Sequence, residues 1–441
     1  MNNSSSSAGG RAFLITSFLF LILGTLMLAG RPQFLMAPSL TGHGVAWLEL
    51  LLLGFAFPAA FGLAYLAIPR AFGLPLYSTQ FVFLHLGFHL AGMILVVASP
   101  LLTGIPQIQM GPTFLAVGAL TFAINIGCSL RGLRVPDAGA AFLVTAMLWL
   151  VIASFLGAPF AATAPATVFQ GQGWSGGWLV LALGGVILNT IFGLGLRVTP
   201  VVLRLKEIHP APAWYAFVIS NFGLAWLFAA LALGPMSFAE FCAAFFLLGT
   251  LIYLGKFLLL VQQRPDRSLP WDVRILLTTT ITAPLAIALA GVAAWQRVPV
   301  ASQTPAAATP APETPAGPLP LEILPVDTAA VLTALLAVAV PGLVALAFQL
   351  VRIERAQLGG DAESTFQGRL TNQILLAAYF NYATGVLMVI PAAWVGIERI
   401  LTLGSLFLFV GAAGFAGTFL FATSKSKVAA INEEAAVPKA G

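Results

Sequence analysis

The chain has four histidines in 441 residues: His43, His85, His89 and His209. His85 and His89 are spaced i, i+4, so on a helix they share one face and can clip a metal ion between successive turns. A neutral imidazole in an apolar segment can also ligate haem iron or pass a proton. The competing reading is helix–helix hydrogen bonding, for which polar side chains in apolar helices commonly serve. Glu49 stands six residues after His43 in an otherwise apolar run. A buried carboxylate is costly unless paired or protonated. Glu49 therefore reads as an acceptor that orients His43, as a proton relay, or as a hydrated group at a membrane surface. His209, in "KEIHPAPAW", reads as a loop residue.

The elements that must position these groups are membrane helices. The composition is 59% hydrophobic and 8% charged, against roughly 25% charged for a soluble domain. Long continuous apolar runs recur along the chain, the pattern of an all-α polytopic bundle rather than a β-barrel. Twelve spans are predicted near 11–30, 44–69, 79–102, 112–131, 139–158, 177–204, 213–233, 237–262, 273–295, 326–353, 370–395 and 397–423. The first run is read as a retained helix, because "LAGRP" is a weak match to a cleavage site. Cys128 and Cys242 both lie inside apolar runs, which argues against a disulfide framework or a thiolate metal site. Asn125, Asn189, Asn221 and Asn381 read as interhelical glue, and Arg197 as a side chain that snorkels to headgroups.

With an even number of spans, all Lys and Arg residues except Arg31, Arg297 and Arg399 fall on one side. Cationic loops stay in the cytoplasm, so both termini are expected there. The expected organisation is a polar N-terminal tail at 1–10, helices one to nine at 11–296, a Pro/Ala-rich extracytoplasmic linker at 297–325, helices ten to twelve at 326–423 and a cytoplasmic tail at 424–441. The formal charge of +5 belongs to these loops and is no sign of nucleic-acid binding. The linker, "RVPVASQTPAAATPAPETPAGPLPLEILPVD", lacks apolar periodicity and reads as a spacer.

An internal echo joins helices two and six. "GFAFPAAFGLAYLAIP" (54–69) and "GVILNTIFGLGLRVTP" (185–200) match at Gly, Phe, Gly, Leu and Pro with an offset of 131 residues (185 − 54). It is consistent with internal repeats of four helices, or with chance agreement between two Gly-rich helices. Helix ten matches the same pattern only loosely.

The stretch from His43 to Met93 resembles helices two and three of haem-copper oxidase subunit I. The carrying motifs are His43-Gly44, the Gly-Leu-x-Tyr-x-x-x-Pro-Arg exit at 62–70, and the Gly-x-Pro-Leu-Tyr-Ser entry at 73–78. The layout is also similar to the twelve-helix NnrS-like proteins. The resemblance implies a bacterial inner-membrane protein with other respiratory-chain subunits, or a second copy of itself, as partners in the lipid bilayer. It implies that His43 is an axial ligand of one haem b near the outer face. The family's copper and remaining haem ligands lie on helices six, seven and ten, where this chain has no histidine. Copper is therefore not expected, and neither is oxygen reduction by the family mechanism.

On a rise of about 1.5 Å per residue, His43 and His89 differ by about 15 Å in membrane depth and cannot share one iron. His43 is left with a methionine such as Met93 as second ligand, or with five-coordinate iron. The expected role is electron transfer, nitrogen-oxide response or an accessory respiratory function. A proton-coupled or small-molecule transporter using His85, His89 and Glu49, and a non-catalytic structural subunit, are the alternatives.

Overall fold

The computed structural model describes residues 3–35, 42–98, 110–133, 137–163, 174–205, 210–233, 236–264, 269–296, 330–357 and 366–436. His209 and the 297–325 linker lie outside the described residues. Every described element is a helix. Twelve helices are long and apolar enough to cross a membrane. They are α1 (Ala8–Gly30), α2 (His43–Ala71), α3 (Thr79–Ala98), α4 (Gly111–Leu130), α5 (Ala138–Leu156), α6 (Gly177–Leu203), α7 (Ala211–Ala232), α8 (Phe238–Gln262), α9 (Trp271–Leu289), α10 (Ala330–Glu354), α11 (Leu370–Val395) and α12 (Glu398–Thr423). Each corresponds to one predicted span. The first helix begins at Asn3, before the membrane-spanning part of α1, and the last helix continues to Ala436. Gly9 and Gly10 are buried where α1 meets its neighbours.

Three helices, each four places after the last, form the interior. The most apolar window is 100% buried in α2 and 83% buried in α6 and α10, against 33–50% in the other nine. The three inner helices touch one another. Around them the rest close a ring in the order α1, α3, α4, α5, α7, α8, α9, α11, α12 and back to α1. An exposed apolar belt that includes Leu19, Phe83, Leu148, Phe222, Leu285 and Leu406 lies on ring helices, the surface that acyl chains cover.

Glycines set the close crossings. A Cβ on Gly62 would stand 2.8 Å from the Gly10 carbonyl, and one on Gly193 2.7 Å from the Gly139 carbonyl. One turn or two further along, the Phe20 ring fills the space over Gly54 and Trp149 that over Gly185. Phe13 meets Phe61 edge-on at 82°, and Phe142 meets Phe192 at 85°. The α1–α2 contacts thus reappear between α5 and α6. In the hairpins, Gly92 packs on Leu115, Gly223 on Phe246 and Gly385 on Leu408. Gly118 backs onto His89, Gly249 onto Ser220 and Gly411 onto Tyr382. Both sets step by 131 residues (223 − 92) and then 162 (385 − 223).

Each inner helix also widens into a π-helical segment: Leu50–Ala56 in α2, Leu181–Leu188 in α6 and Thr333–Ala339 in α10. Apolar periodicity gave no sign of these. Pro58 and Pro341 follow two of them and lack the N–H that would bond a carbonyl one turn back. In a bilayer such a carbonyl needs another donor. His89 Nε2 donates to Leu53 O at 2.7 Å, and Thr282 Oγ1 to Ala337 O at 3.2 Å. In α6 the Asn189 side chain donates to Gly185 O at 2.9 Å.

At the arginine-rich end the inner helices are tied pairwise. Arg197 Nε donates to Ala71 O at 3.0 Å, joining α6 to α2. Thr199 Oγ1 donates to Gln349 Oε1 at 3.1 Å, joining α6 to α10. Arg70 Nη2 lies 2.8 Å from Glu354 Oε2, joining α2 to α10.

Candidate functional site

The densest group of chemistry-bearing side chains sits where α1, α2, α3 and α4 meet. The residues Phe72–Ser78 bring α3 back against α2. Phe72 N–H and Leu74 N–H return to Ala67 O and Ile68 O, and Gly73 closes the motif at φ +68, a conformation that glycine adopts without strain. Asn125 of α4 clamps the turn, donating to Ser78 O at 2.8 Å and accepting from Ser78 N–H at 2.9 Å. That sets the register of α3 and points both of its histidines inward.

His85 is fully buried. Its ring centroid is 4.6 Å from Phe61, 4.8 Å from Phe13 and 5.3 Å from Phe122. Its Nδ1 shares a hydrogen bond with Tyr65 Oη at 3.1 Å, and its Nε2 is enclosed without a partner among the described residues. His89 is one turn away, the two rings 6.0 Å apart and 75° inclined. Because its Nε2 donates to the Leu53 carbonyl, that nitrogen carries a proton and offers no lone pair to a metal. The shared helical face is real, but the two side chains are turned to different tasks. His89 completes the backbone of α2, while His85 faces Tyr65.

Internal comparison sharpens the contrast. The positions 131 residues on from His85, and a further 162 beyond that, are Ala216 and Ala378, both buried, and Leu196 stands 131 residues after Tyr65. The packing therefore accommodates apolar side chains at places where the first four helices carry a polar pair. Tyr65 was not singled out in the sequence, although it sits inside the quoted Gly-Leu-x-Tyr exit. The signal for His89 was Pro58, which demands a donor from a neighbouring helix.

The other candidates lie apart. His43 is exposed in the first turn of α2, and Arg31 Nη1 donates toward its Nε2 at 3.5 Å. Met93 is completely buried on α3. Glu49 is half-buried at the start of the π-helical segment of α2, with Oε2 enclosed and unpartnered among the described residues. The nitrogen of His43 faces Arg31, and His43 and Glu49 project from different sides of α2 at about 100° per residue. Arg197, expected to snorkel, instead bonds Asp137 Oδ2 at 3.0 Å and lies over the Phe72 ring. Asn189 and Asn221 exchange hydrogen bonds, and Trp149 Nε1 donates to Asn221 at 3.1 Å. Among the described residues no three His, Cys, Asp or Glu side chains group as metal ligands.

Fold and site together define a multi-pass, all-helical membrane protein. No family model matches the chain, and no curated protein matches it.

Proposed function

We propose that the chain is a haem-copper oxidase subunit I-like integral membrane protein without a copper centre, serving a respiratory assembly as an accessory, electron-transferring subunit. The observation that carries this reading is the inner position of helices four apart, α2, α6 and α10. The recurring contacts, stepped by 131 and 162 residues, support three units, α1–α4, α5–α8 and α9–α12, in a twelve-helix layout like that of the resembling family. Copper is left out of the proposal because α6, α7 and α10 have no imidazole to bind it. The arginine-rich end is assigned to the cytoplasm, with both termini there, in a bacterial inner membrane.

The haem of this reading belongs to His43. Its imidazole is exposed at the opposite end of the bundle, and Arg31 beside it offers a guanidinium for a propionate. Bound iron would supply one-electron chemistry there. His85, His89 and Met93 do not fit a porphyrin: packed rings stand against His85 and His89, and Met93 is wholly enclosed. The test is an oxidised and dithionite-reduced absorption spectrum of the purified protein beside His43→Ala. A Soret band lost or shifted in the variant upholds the reading; no haem in either sample, after expression with ample haem, sinks it.

A second reading has its own observation. The buried Tyr65–His85 pair, with a free His85 Nε2, suits a proton-coupled transporter of small molecules. Substrate-dependent proton flux in proteoliposomes, abolished by His85→Ala, would favour it over the haem protein.

A further inference from the structure

The three four-helix groups each bring an arginine of an inner helix to the arginine-rich end, and one is provided for differently. Arg197 of α6 meets Asp137 at the foot of α5, and Arg352 of α10 meets Asp272 at the foot of α9, at 3.0 and 2.9 Å. At the foot of α1 the corresponding partner of Arg70 is another cation, Arg11. The carboxylate comes from Glu354 at the end of α10 and is divided: Oε1 bonds Arg11 and Oε2 lies 2.8 Å from Arg70 Nη2. The Arg70 side chain is only 7% exposed, and among the described residues its Nη1 is enclosed without a hydrogen bond.

A guanidinium is built to bind an oxyanion through two parallel N–H donors, and an unfilled buried donor is costly. Arg70 uses one terminal nitrogen on half of a shared carboxylate and keeps the other unfilled. We propose that Arg70, with Arg11 beside it, binds a phosphate-type oxyanion where α1, α2 and α10 meet. Glu354 is the internal stand-in that the ligand displaces in part. A lipid headgroup and a free phosphate offer the same oxygens. The leaflet facing an arginine-rich end is the one where anionic headgroups gather. The site is independent of any haem at His43, which lies at the opposite end of α2.

The experiment uses the full chain in phosphatidylcholine nanodiscs, titrated with phosphatidylglycerol or with inorganic phosphate. Retained lipid is read by native mass spectrometry and stability by the unfolding midpoint. The wild type is expected to retain phosphatidylglycerol about fivefold over phosphatidylcholine, the equivalent of one guanidinium–headgroup contact. Arg70→Gln should lose that preference. Glu354→Gln, which releases both guanidiniums, should strengthen it. A midpoint raised by inorganic phosphate in an Arg70-dependent way, without lipid preference, upholds the oxyanion site and assigns it to free phosphate. Equal retention in all three proteins, with no effect of phosphate, overturns the proposal. If Arg70→Gln does not fold, an unstrengthened Glu354→Gln overturns it alone.

Discussion

Tyr65 Oη and His85 Nδ1 share a hydrogen bond of 3.1 Å inside a wall of phenylalanine rings. Among the described residues it is the one bond that the His85 side chain makes to another side chain. Tyr65→Phe should therefore leave the imidazole without a side-chain partner and cost about 1–3 kcal/mol. Replacing both residues, Tyr65→Phe with His85→Leu, should recover most of that loss, because apolar residues fill the corresponding places at Leu196 and Ala216. A double-mutant cycle by reversible unfolding in detergent checks it. Additive losses would show that the pair is not coupled.

His89 holds the Leu53 carbonyl that Pro58 leaves without an amide. His89→Ala should lower stability by about 1–3 kcal/mol through that orphaned acceptor. Adding Pro58→Ala supplies a backbone N–H and should return part of the loss. Midpoints of the two variants decide, and an unrescued double variant would mean that the histidine acts through packing alone.

The glycine crossings allow a paired comparison. A Cβ on Gly62 meets the Gly10 backbone, whereas one on Gly87 of α3 meets nothing within 4 Å. Gly62→Ala should cost roughly 1–3 kcal/mol by forcing α1 and α2 apart. Gly87→Ala should be neutral or mildly stabilising, since alanine favours the helix. Thermal unfolding of both proteins in one detergent tests the assignment; equal effects would contradict it.

Similar ion pairs should differ in strength because they differ in burial. Asp272 is 1% exposed against Arg352, while Asp137 is 22% exposed against Arg197. Asp272→Asn should cost roughly 3–5 kcal/mol by leaving a buried pair broken. Asp137→Asn should cost about 1 kcal/mol or less, since water screens that pair. The order of the two unfolding free energies is the readout, and its reversal would refute the burial argument.

Much of the bundle was legible in the residue order. Each of the twelve predicted spans coincides with a helix, because a bilayer-spanning segment must satisfy its own backbone and so announces itself by apolar length. The echo at 131 residues was legible as Gly54, Phe61 and Gly62 against their partners. Its meaning was not, since the glycines matter through Gly10, Phe20, Gly139 and Trp149 on other helices. The loose match of helix ten hid a third set of contacts, which recurs most clearly in the α11–α12 hairpin.

The spacing of His85 and His89 placed them on one face but left their partners open, because Leu53 and Tyr65 belong to another helix. By itself the sequence determined that the chain is a twelve-helix membrane bundle, since length and hydropathy are local properties of each segment. Which helices lie inside, where they widen into π-helical turns, and which carbonyl, phenol or carboxylate meets each polar side chain were decided only by tertiary packing. Those contacts join residues remote in sequence, as Glu354 joins Arg11 and Arg70. Desolvation then leaves each buried polar atom to whatever partner the neighbouring helix presents.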